Sequence, residues 1–469
     1  MSVAARPRRG FRAKVALARL SGSLSRRSGR GGGTTLPGRL LLRMAPEAIS
    51  RLGSELSCRS TIVSATNGKT TTAGMLAAVL RAAGRDPVHN RAGSNMTWGV
   101  ATALLEQRGD EGLFEVDEAW LPRIAAELDP RLIVLANLFR DQLDRYGELE
   151  HLADEWADLV AERQGRSDFA LNADDPLVAD LGRDRELRRR PGVVYFGIDD
   201  ASQALPELQH AHDAKHCRRC GHPYSYARAF VGHLGHYECP NCHADRPPPD
   251  VAATAIELRG MSGSHVRVRT PQGEVEIDLP LPGLYNVYNA LGALTAALRL
   301  GVGLETTAAA LARVEAVFGR VETIAVGGKA VSILLVKNPA GTNEVLRTLR
   351  LEAGPAAAKP GLDLWIALND RIADGRDVSW IWDADFELLA GAVRRVVCSG
   401  TRAPEIAVRL KYAGVDPSLI EVEPSIERAL DSAVAGATTE TVFALPTYTA
   451  LIELRTLLAS RGLAEEFWR

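Results

Sequence analysis

The segment Ser64-Ala65-Thr66-Asn67-Gly68-Lys69-Thr70-Thr71-Thr72 holds a glycine, a lysine and hydroxyls in the order that a phosphate-binding loop needs. Consecutive backbone N–H groups and the start of a helix can hold phosphate oxygens. Lys69 can then reach the outer phosphates, and the Thr70 hydroxyl can ligate Mg²⁺. The strict G-x-x-x-x-G-K-[ST] spacing is not met, because position 63 is Val. The reading therefore rests on a strand before the loop and a helix after it. Downstream, Glu115-Val116-Asp117-Glu118 ends an apolar run. Carboxylates at the carboxyl edge of a parallel sheet sit where ligands bind and suit a hard cation. The same acids would also suit the first turn of a solvated helix. A third group is Cys217-x₂-Cys220-x₁₈-Cys239-x₂-Cys242. Paired C-x₂-C spacings of this kind form zinc ribbons, in which four thiolates close the coordination shell and the role is structural. Two disulfides or free thiols are the alternatives. The adjacent His216, His222 and His243 read as surface residues rather than ligands.

These groups need elements to position them. Ser60–Ala65 reads as a short apolar strand and Thr70–Gly84 as an amphipathic helix ending at glycine. Further strands are expected at Gly112–Val116, Leu132–Ala136, Asp168–Asn172 and Val193–Gly197, mostly separated by helical patterns. This is the pattern of a doubly wound, mostly parallel sheet. Residues 206–249, rich in His and Cys and closing on Pro247-Pro248-Pro249, interrupt it as an insertion. A helix resumes at Asn286–Leu300. A second α/β run has strand candidates at Ser332–Val336, Leu362–Leu368, Arg395–Ser399 and Val442–Leu445, with Gly354–Pro360 as an inner loop.

The 469 residues suit two or three domains. A net charge of -2 gives no global field for nucleic acid, and no apolar run approaches a membrane span of roughly 20 residues. The start of the chain differs, with eleven Lys and Arg from Arg6 to Arg43 and no acid before Glu47. It reads as a basic targeting segment, a contact for anionic lipid, or an arm packed on the core through Val15, Leu17, Leu20 and Leu24. It lacks the continuous apolar stretch of a secretory signal, so a cytoplasmic protein is expected. Without an export signal a disulfide framework is not expected. Cys58 and Cys398 are expected as small buried hydrophobes.

Five ordered segments resemble the Mur ligase and folylpolyglutamate synthase family. Thr66-Asn67-Gly68-Lys69-Thr70-Thr71 is similar to its T-N-G-K-T/S-T nucleotide loop. Asn137-Leu138-Phe139-Arg140-Asp141-Gln142-Leu143-Asp144-Arg145-Tyr146 resembles N-x-x-x-D-H-x-D-R-Y, and Asn172-Ala173-Asp174-Asp175 resembles N-A-D-D. Gly283-Leu284-Tyr285-Asn286-Val287-Tyr288-Asn289-Ala290 resembles G-x-H-N-x-x-N-A. Phe318-Gly319-Arg320-Val321-Glu322 resembles the G-R-x-E that closes the ATPase domain. The resemblance implies that Thr66 to Thr71, Asn289 and Arg320 contact ATP, that Thr70 and Glu115 hold Mg²⁺, and that the reaction passes through an acyl phosphate. Catalysis would then rest on positioning and charge neutralisation.

Departures narrow the family. Gln142 replaces a histidine, which leaves a poorer ligand for a second metal. No lysine lies between Lys69 and Lys215, so the carbamylated lysine of several Mur ligases has no counterpart there. Lys337-Asn338-Pro339-Ala340-Gly341-Thr342-Asn343 lacks the acid and internal lysine of the amino-acid-adding members. With the inserted cysteines and the segment Asn369-Asp370-Arg371-Ile372-Ala373-Asp374-Gly375-Arg376-Asp377-Val378-Ser379-Trp380-Ile381-Trp382-Asp383, the chain resembles the MurT branch. That resemblance implies a glutamine amidotransferase partner, GatD, which releases ammonia. It also implies a lipid II substrate whose D-glutamate α-carboxylate becomes the amide of D-isoglutamine at the inner membrane face. An aspartate lent to the partner's Cys–His pair is implied as well. Asp374 and Asp377, on a glycine-containing loop after the strand Leu362–Leu368, are the candidates, since either could orient a histidine supplied in trans. Each could equally be a turn or capping residue. Trp380 and Trp382 read as partner surface or as core.

The expected organisation is a basic arm at 1–55, a Mur ligase-like P-loop ATPase domain at 56–325 with an inserted zinc ribbon at 206–249, and a Rossmann-like α/β domain at 326–469. Two other readings compete. A folylpolyglutamate synthase-like ligase would take an amino-acid substrate and carry no ribbon. A non-catalytic zinc-stapled scaffold would bind nucleotide without glutamine-dependent turnover.

Overall fold

The computed structural model of the chain describes residues 8–27, 35–90, 94–141, 149–183, 192–209, 212–315, 320–354 and 361–464. Gln142 to Tyr146, Phe318, Gly319 and 355–360 lie outside the described residues, as do the side chains of Leu24 and Arg320.

Seventeen strands are described, and the chain enters them in order. The first six are β1 (Ser60–Ser64), β2 (Val88–His89), β3 (Gly112–Glu115), β4 (Leu132–Leu135), β5 (Asp168–Asn172) and β6 (Val193–Ile198). A separate antiparallel hairpin follows, β7 (Ser225–Val231) and β8 (Leu234–Glu238). Then come β9 (Val251–Leu258), β10 (Ser264–Thr270) and β11 (Gly273–Leu279). These form a nine-stranded sheet in the order β11-β10-β9-β6-β5-β4-β1-β3-β2, parallel except for the β9-β10-β11 meander. The remaining strands are β12 (Arg320–Val326), β13 (Lys329–Leu334), β14 (Leu362–Ala367), β15 (Val393–Ser399), β16 (Ile420–Val422) and β17 (Thr441–Pro446). They build a second sheet in the order β12-β13-β17-β14-β15-β16, parallel apart from β12. The junction expected at 325/326 falls inside β12, whose hydrogen bonds to β13 start the second sheet at Arg320.

Both parallel regions are covered on two faces, as crossover helices require. On β1 and β4, Val63 and Val134 join one apolar cluster while their neighbours Ile62 and Ile133 join the other. In β14, Leu364 and Ile366 face one cluster, and Trp365 and Ala367 the opposite one. Period-two alternation thus splits each strand between two buried layers.

β6 and β9 are parallel neighbours, so the chain must cross over between them, a task usually given to a helix. Here the cysteine-bearing hairpin makes the crossing. Phe230, Val231 and Leu234 at its tip are buried in the core of the larger sheet.

Two expectations are corrected. Cys58 is exposed, at the entry to β1, whereas Cys398 is buried as expected. The N-terminal helix Arg8–Arg27 packs through Phe11, Val15 and Ala18, while Leu17 and Leu20 point to solvent. The helical period decides this, since Leu17 and Leu20 lie across the helix from Val15.

Candidate nucleotide site and accessory centres

Parallel pairing of β1 with β3 and β4 sets Val63 beside Glu115 and Ser64 beside Leu135. Three motifs therefore leave the sheet side by side at its carboxyl edge. The loop after β1 turns at Gly68, with φ 87°, into the helix Lys69–Ala82. Only glycine fits there. A Cβ would lie in the left-handed region and 1.9 Å from Asn289 Oδ1. The Thr72 hydroxyl also donates to Asn289 Oδ1 at 3.2 Å, and Asn289 Nδ2 donates to Asn286 Oδ1 at 3.0 Å. The G-x-x-N-x-x-N-A-like segment is thus pressed onto the phosphate loop.

The Thr70 hydroxyl donates to Glu115 Oε1 at 2.8 Å, and Glu115 is buried. Lys69 Nζ donates to Glu118 Oε2 at 3.1 Å and to Ala65 O at 3.0 Å. Burial acts to lower the Lys69 pKa, but Glu118, Asp117 and Glu115 outweigh it and hold the ammonium above its ordinary value. Burial likewise acts to raise Glu118, and Lys69 and Lys337 overcome it, so its carboxyl titrates below the usual range. Asp117 caps the short helix Glu118–Trp120 by accepting from Ala119 N. Glu115, Asp117 and Glu118 are all buried, so the acidic run is no solvated helix start.

The next segment closes the loop from the other side. Asn67 N donates to Asn137 Oδ1, and Asn137 Nδ2 donates to Asn67 O, both at 2.9 Å. Phe139 N donates to the Thr66 hydroxyl at 3.0 Å. The Asn172-to-Asp175 motif is a knot behind these residues. Asp174 accepts from Ile198 N at 2.8 Å, from the Tyr288 hydroxyl at 2.7 Å and from Arg246. Asp175 caps the helix Pro176–Leu181 and accepts from Leu138 N at 2.8 Å.

The second sheet reaches the same loop through residues whose role sequence reasoning missed. Lys337 Nζ donates to Thr66 O at 3.2 Å and to Asp141 Oδ2. The side chains of Asn338 and Asn67 bond reciprocally, at 2.9 and 3.3 Å. An open cavity lies between the two sheets. Asn67, Gly68, Asn137 and Asn289 line one wall, and Lys337 and Glu344 the facing wall. Val231 and Leu234 of the cysteine hairpin complete it. Burial raises the Glu344 pKa, against the pull of Arg347 and the N–H groups of Leu284 and Tyr285. The available signal for Lys337 was its place just before Asn338-Pro339, at the start of the helix Pro339–Ala353.

The four cysteine Sγ atoms lie within 4.8 Å of one another. The Cys217–Cys242 and Cys220–Cys239 separations are 3.5 and 3.4 Å. A disulfide needs about 2.05 Å, whereas thiolates about 2.3 Å from a tetrahedral Zn²⁺ sit roughly 3.8 Å apart. His216, His222 and His243 are exposed and outside the cluster.

The two candidate acids after β14 have different surroundings. Asp374 is buried, and its carboxylate accepts from both the N–H and the hydroxyl of Thr449 at the start of the helix Tyr448–Ser460. Asp377 is exposed and accepts from Ser379 N at 2.8 Å. That bond lowers its pKa, so it stays a carboxylate. Trp380 packs against the core of the second sheet, while Trp382 is half exposed against Tyr412. Arg320 begins β12, and its side chain is outside the described residues.

Comparison with known proteins gives the same assignment for both halves. The Mur ligase middle domain matches residues 63–244, and the MurT ligase C-terminal domain matches residues 335–451. A relative from Streptococcus pneumoniae, the MurT subunit of lipid II isoglutaminyl synthase (glutamine-hydrolyzing), is 32% identical over 93% of this chain and 94% of its own. A pseudomurein peptide ligase type C from Methanothermus fervidus superposes with TM-score 0.66 at 22% identity, covering 88% of this chain and 80% of that one. The MurF ligase of Thermotoga maritima, solved in complex with ADP, gives TM-score 0.61 at 13% identity over 91% and 85%. The α/β architecture with its parallel sheets is therefore Mur ligase-like.

Proposed function

Because the chain belongs to the MurT family of Mur-type ligases, we propose that it is the amide-forming subunit of a glutamine-hydrolysing lipid II isoglutaminyl synthase. The ligase chemistry is carried by one observation: Lys69, Thr70 and Glu115 meet at a phosphate loop clamped by Asn137 on one side and by Lys337 and Asn338 on the other. The choice of lipid II and of glutamine rests on the named activity of the full-length Streptococcus pneumoniae relative.

In this reading the ATP triphosphate lies along Thr66 to Thr71, and Asn289 and Arg320 are nucleotide contacts. Lys69 neutralises charge that develops on the transferred phosphoryl group. Lys337 adds a second cation from the facing wall. The substrate's D-glutamate α-carboxylate attacks the γ-phosphorus and displaces ADP, forming an acyl phosphate. Ammonia then adds to its carbonyl carbon. Loss of a proton and of inorganic phosphate leaves the amide of D-isoglutamine. The hydroxyl of Thr70 and carboxylate of Glu115 are hard oxygen donors 2.8 Å apart, which fits Mg²⁺. When bound, that ion would draw charge from the phosphate oxygens.

The cysteine cluster fits a structural Zn²⁺ held by Cys217, Cys220, Cys239 and Cys242, making 206–249 a ribbon inserted in an ATPase domain at 56–325. The arm at 1–55 precedes it and an α/β domain at 326–469 follows, with β12 paired into that domain's sheet. Ammonia comes from a partner glutaminase, GatD in the family. Asp377, exposed and ionised, is better suited than the internally bonded Asp374 to complete its Cys–His pair.

The test is amidation of a lipid II substrate by the chain with its glutaminase partner. Product should require ATP and glutamine, and free ammonia at high concentration should replace both glutamine and partner. ATP turnover without any amide product would refute the assignment.

A further inference from the structure

The helix Arg8–Arg27 carries a surface that the amidation site does not use. Phe11, Val15 and Ala18 hold it to the body. On its opposite face Leu17 and Leu20 are 53% and 60% exposed and lie side by side. Arg12 and Arg19 border this outer stripe on one side and Lys14 on the other, and all three are exposed. Arg19 donates to Leu105 O and Lys14 to Met44 O, bonds that fix the helix without neutralising either charge. A groove beside it is lined by Arg12, Arg19, Arg108, Leu20, Leu52 and a single acid, Glu55.

Charge along the chain is divided the same way. The first 46 residues hold eleven basic residues and no acid, while the remainder holds 45 basic and 58 acidic ones. A cationic helix with an apolar outer stripe, attached to an acidic body, matches one environment best: the interface of an anionic bilayer. Among the described residues no helix is long and apolar enough to cross a membrane.

We propose that the outer face of this helix docks the protein on an anionic membrane surface, with Leu17 and Leu20 entering the headgroup–acyl boundary and Arg12, Lys14 and Arg19 meeting lipid phosphates. The inference goes beyond the amidation reading and is tested without substrate. Full-length protein should co-sediment with vesicles containing phosphatidylglycerol and much less with pure phosphatidylcholine, and added salt should weaken it. Leu17→Ser with Leu20→Ser should weaken vesicle binding ~10-fold or more, with little change in thermal unfolding because both side chains are more than half exposed. Arg12→Gln should weaken it less. No binding to anionic vesicles, equal binding to both compositions, or undiminished binding by the double variant would overturn the proposal. Amidation of detergent-solubilised substrate should be the same in wild type and double variant, so failure of that activity would count against the ligase reading alone.

Discussion

The phosphate loop and the loop after β14 both present acids near the carboxyl edge of a parallel sheet, yet they are built differently. Around Lys69 every acid is buried and has a partner within the chain: Glu115 with Thr70, Glu118 with Lys69, and Asp117 with Ala119 N. After β14 the chain divides the work. Asp374 is bonded inward to Thr449, and Asp377 is left exposed with one oxygen held by Ser379. The first arrangement is a site assembled by one chain. The second leaves one carboxylate exposed, the feature behind our proposal that a second chain completes a site there.

Lys69→Ala should break the first region most severely. In the proposed mechanism the lysine neutralises phosphate charge, so ATP-dependent amidation should fall by on the order of 10⁴-fold whether glutamine or ammonia supplies nitrogen. Circular dichroism below the unfolding transition should stay near wild type, while thermal unfolding should fall, because a buried Glu118 left without its cation costs about 3–5 kcal/mol. Turnover close to wild type in the folded variant would remove the loop from the mechanism.

Asp377→Asn should separate the two regions. Losing an orienting acid should slow glutamine hydrolysis in the assembled complex by roughly 10³-fold, while ammonia-driven amidation and the KM for ATP stay put. Asp374→Asn should instead cost about 1–2 kcal/mol of stability, because it disturbs a capping interaction at Thr449. If Asp374→Asn abolishes glutaminase activity and Asp377→Asn does not, the roles are reversed. If ammonia-driven amidation fails in either folded variant, that acid belongs to the ligase site.

The difference also tracks what the sequence could show. Thr66 to Thr71 were legible because local order sets them: a strand, a glycine turn and a helix can be read within a dozen residues, whereas the roles expected of Glu115 and Asn289 came from the family resemblance. The meeting of Asn289 with the loop at Gly68 was not legible, since Asn289 is over 200 residues away and arrives through the packing of Leu284–Arg299. Lys337 and Asn338 were read as missing a family pattern, but their contacts with Thr66 and Asn67 depend on how two sheets face one another. The meander β9-β10-β11 went unread although Ser264–Thr270 alternates, with Val266 and Val268 buried and Arg267 and Arg269 exposed. Its charged outer face obscured the strand. Leu17 and Leu20 were read as core in the packed-arm alternative because apolar type was weighed without helical angle.

The cysteine hairpin joins the first region, since Val231 and Leu234 line the cavity proposed for the nucleotide. Purified protein should contain about one Zn²⁺ per chain, lost in Cys217→Ser with Cys220→Ser. That loss should raise the KM for ATP several-fold before it changes kcat, because the hairpin shapes a wall and carries none of the proposed phosphate contacts. Zinc retained by the double variant would refute the four-thiolate centre, and an unchanged KM would detach the hairpin from the nucleotide site.

His212 offers the finest probe of how tightly that hairpin is seated. It is buried edge-on to Tyr226, with centroids 4.6 Å apart, and 6.5 Å from His233. Burial, with His233 adding to it, lowers its pKa from 6.5 to about 4. The unfolded chain therefore takes up a proton between those two values that the fold refuses. Stability from this residue is complete above about pH 6.5, declines as pH falls, and stops declining near pH 4. Between pH 7 and pH 5 the loss should be about 2 kcal/mol. His212→Phe keeps the ring against Tyr226 and removes the titration, so denaturant unfolding of this variant should show a shallower decline over the same interval. An identical pH dependence in both proteins would mean that His212 is protonated as readily in the fold as in the unfolded chain. The hairpin base would then be open to water, unlike the buried site it adjoins.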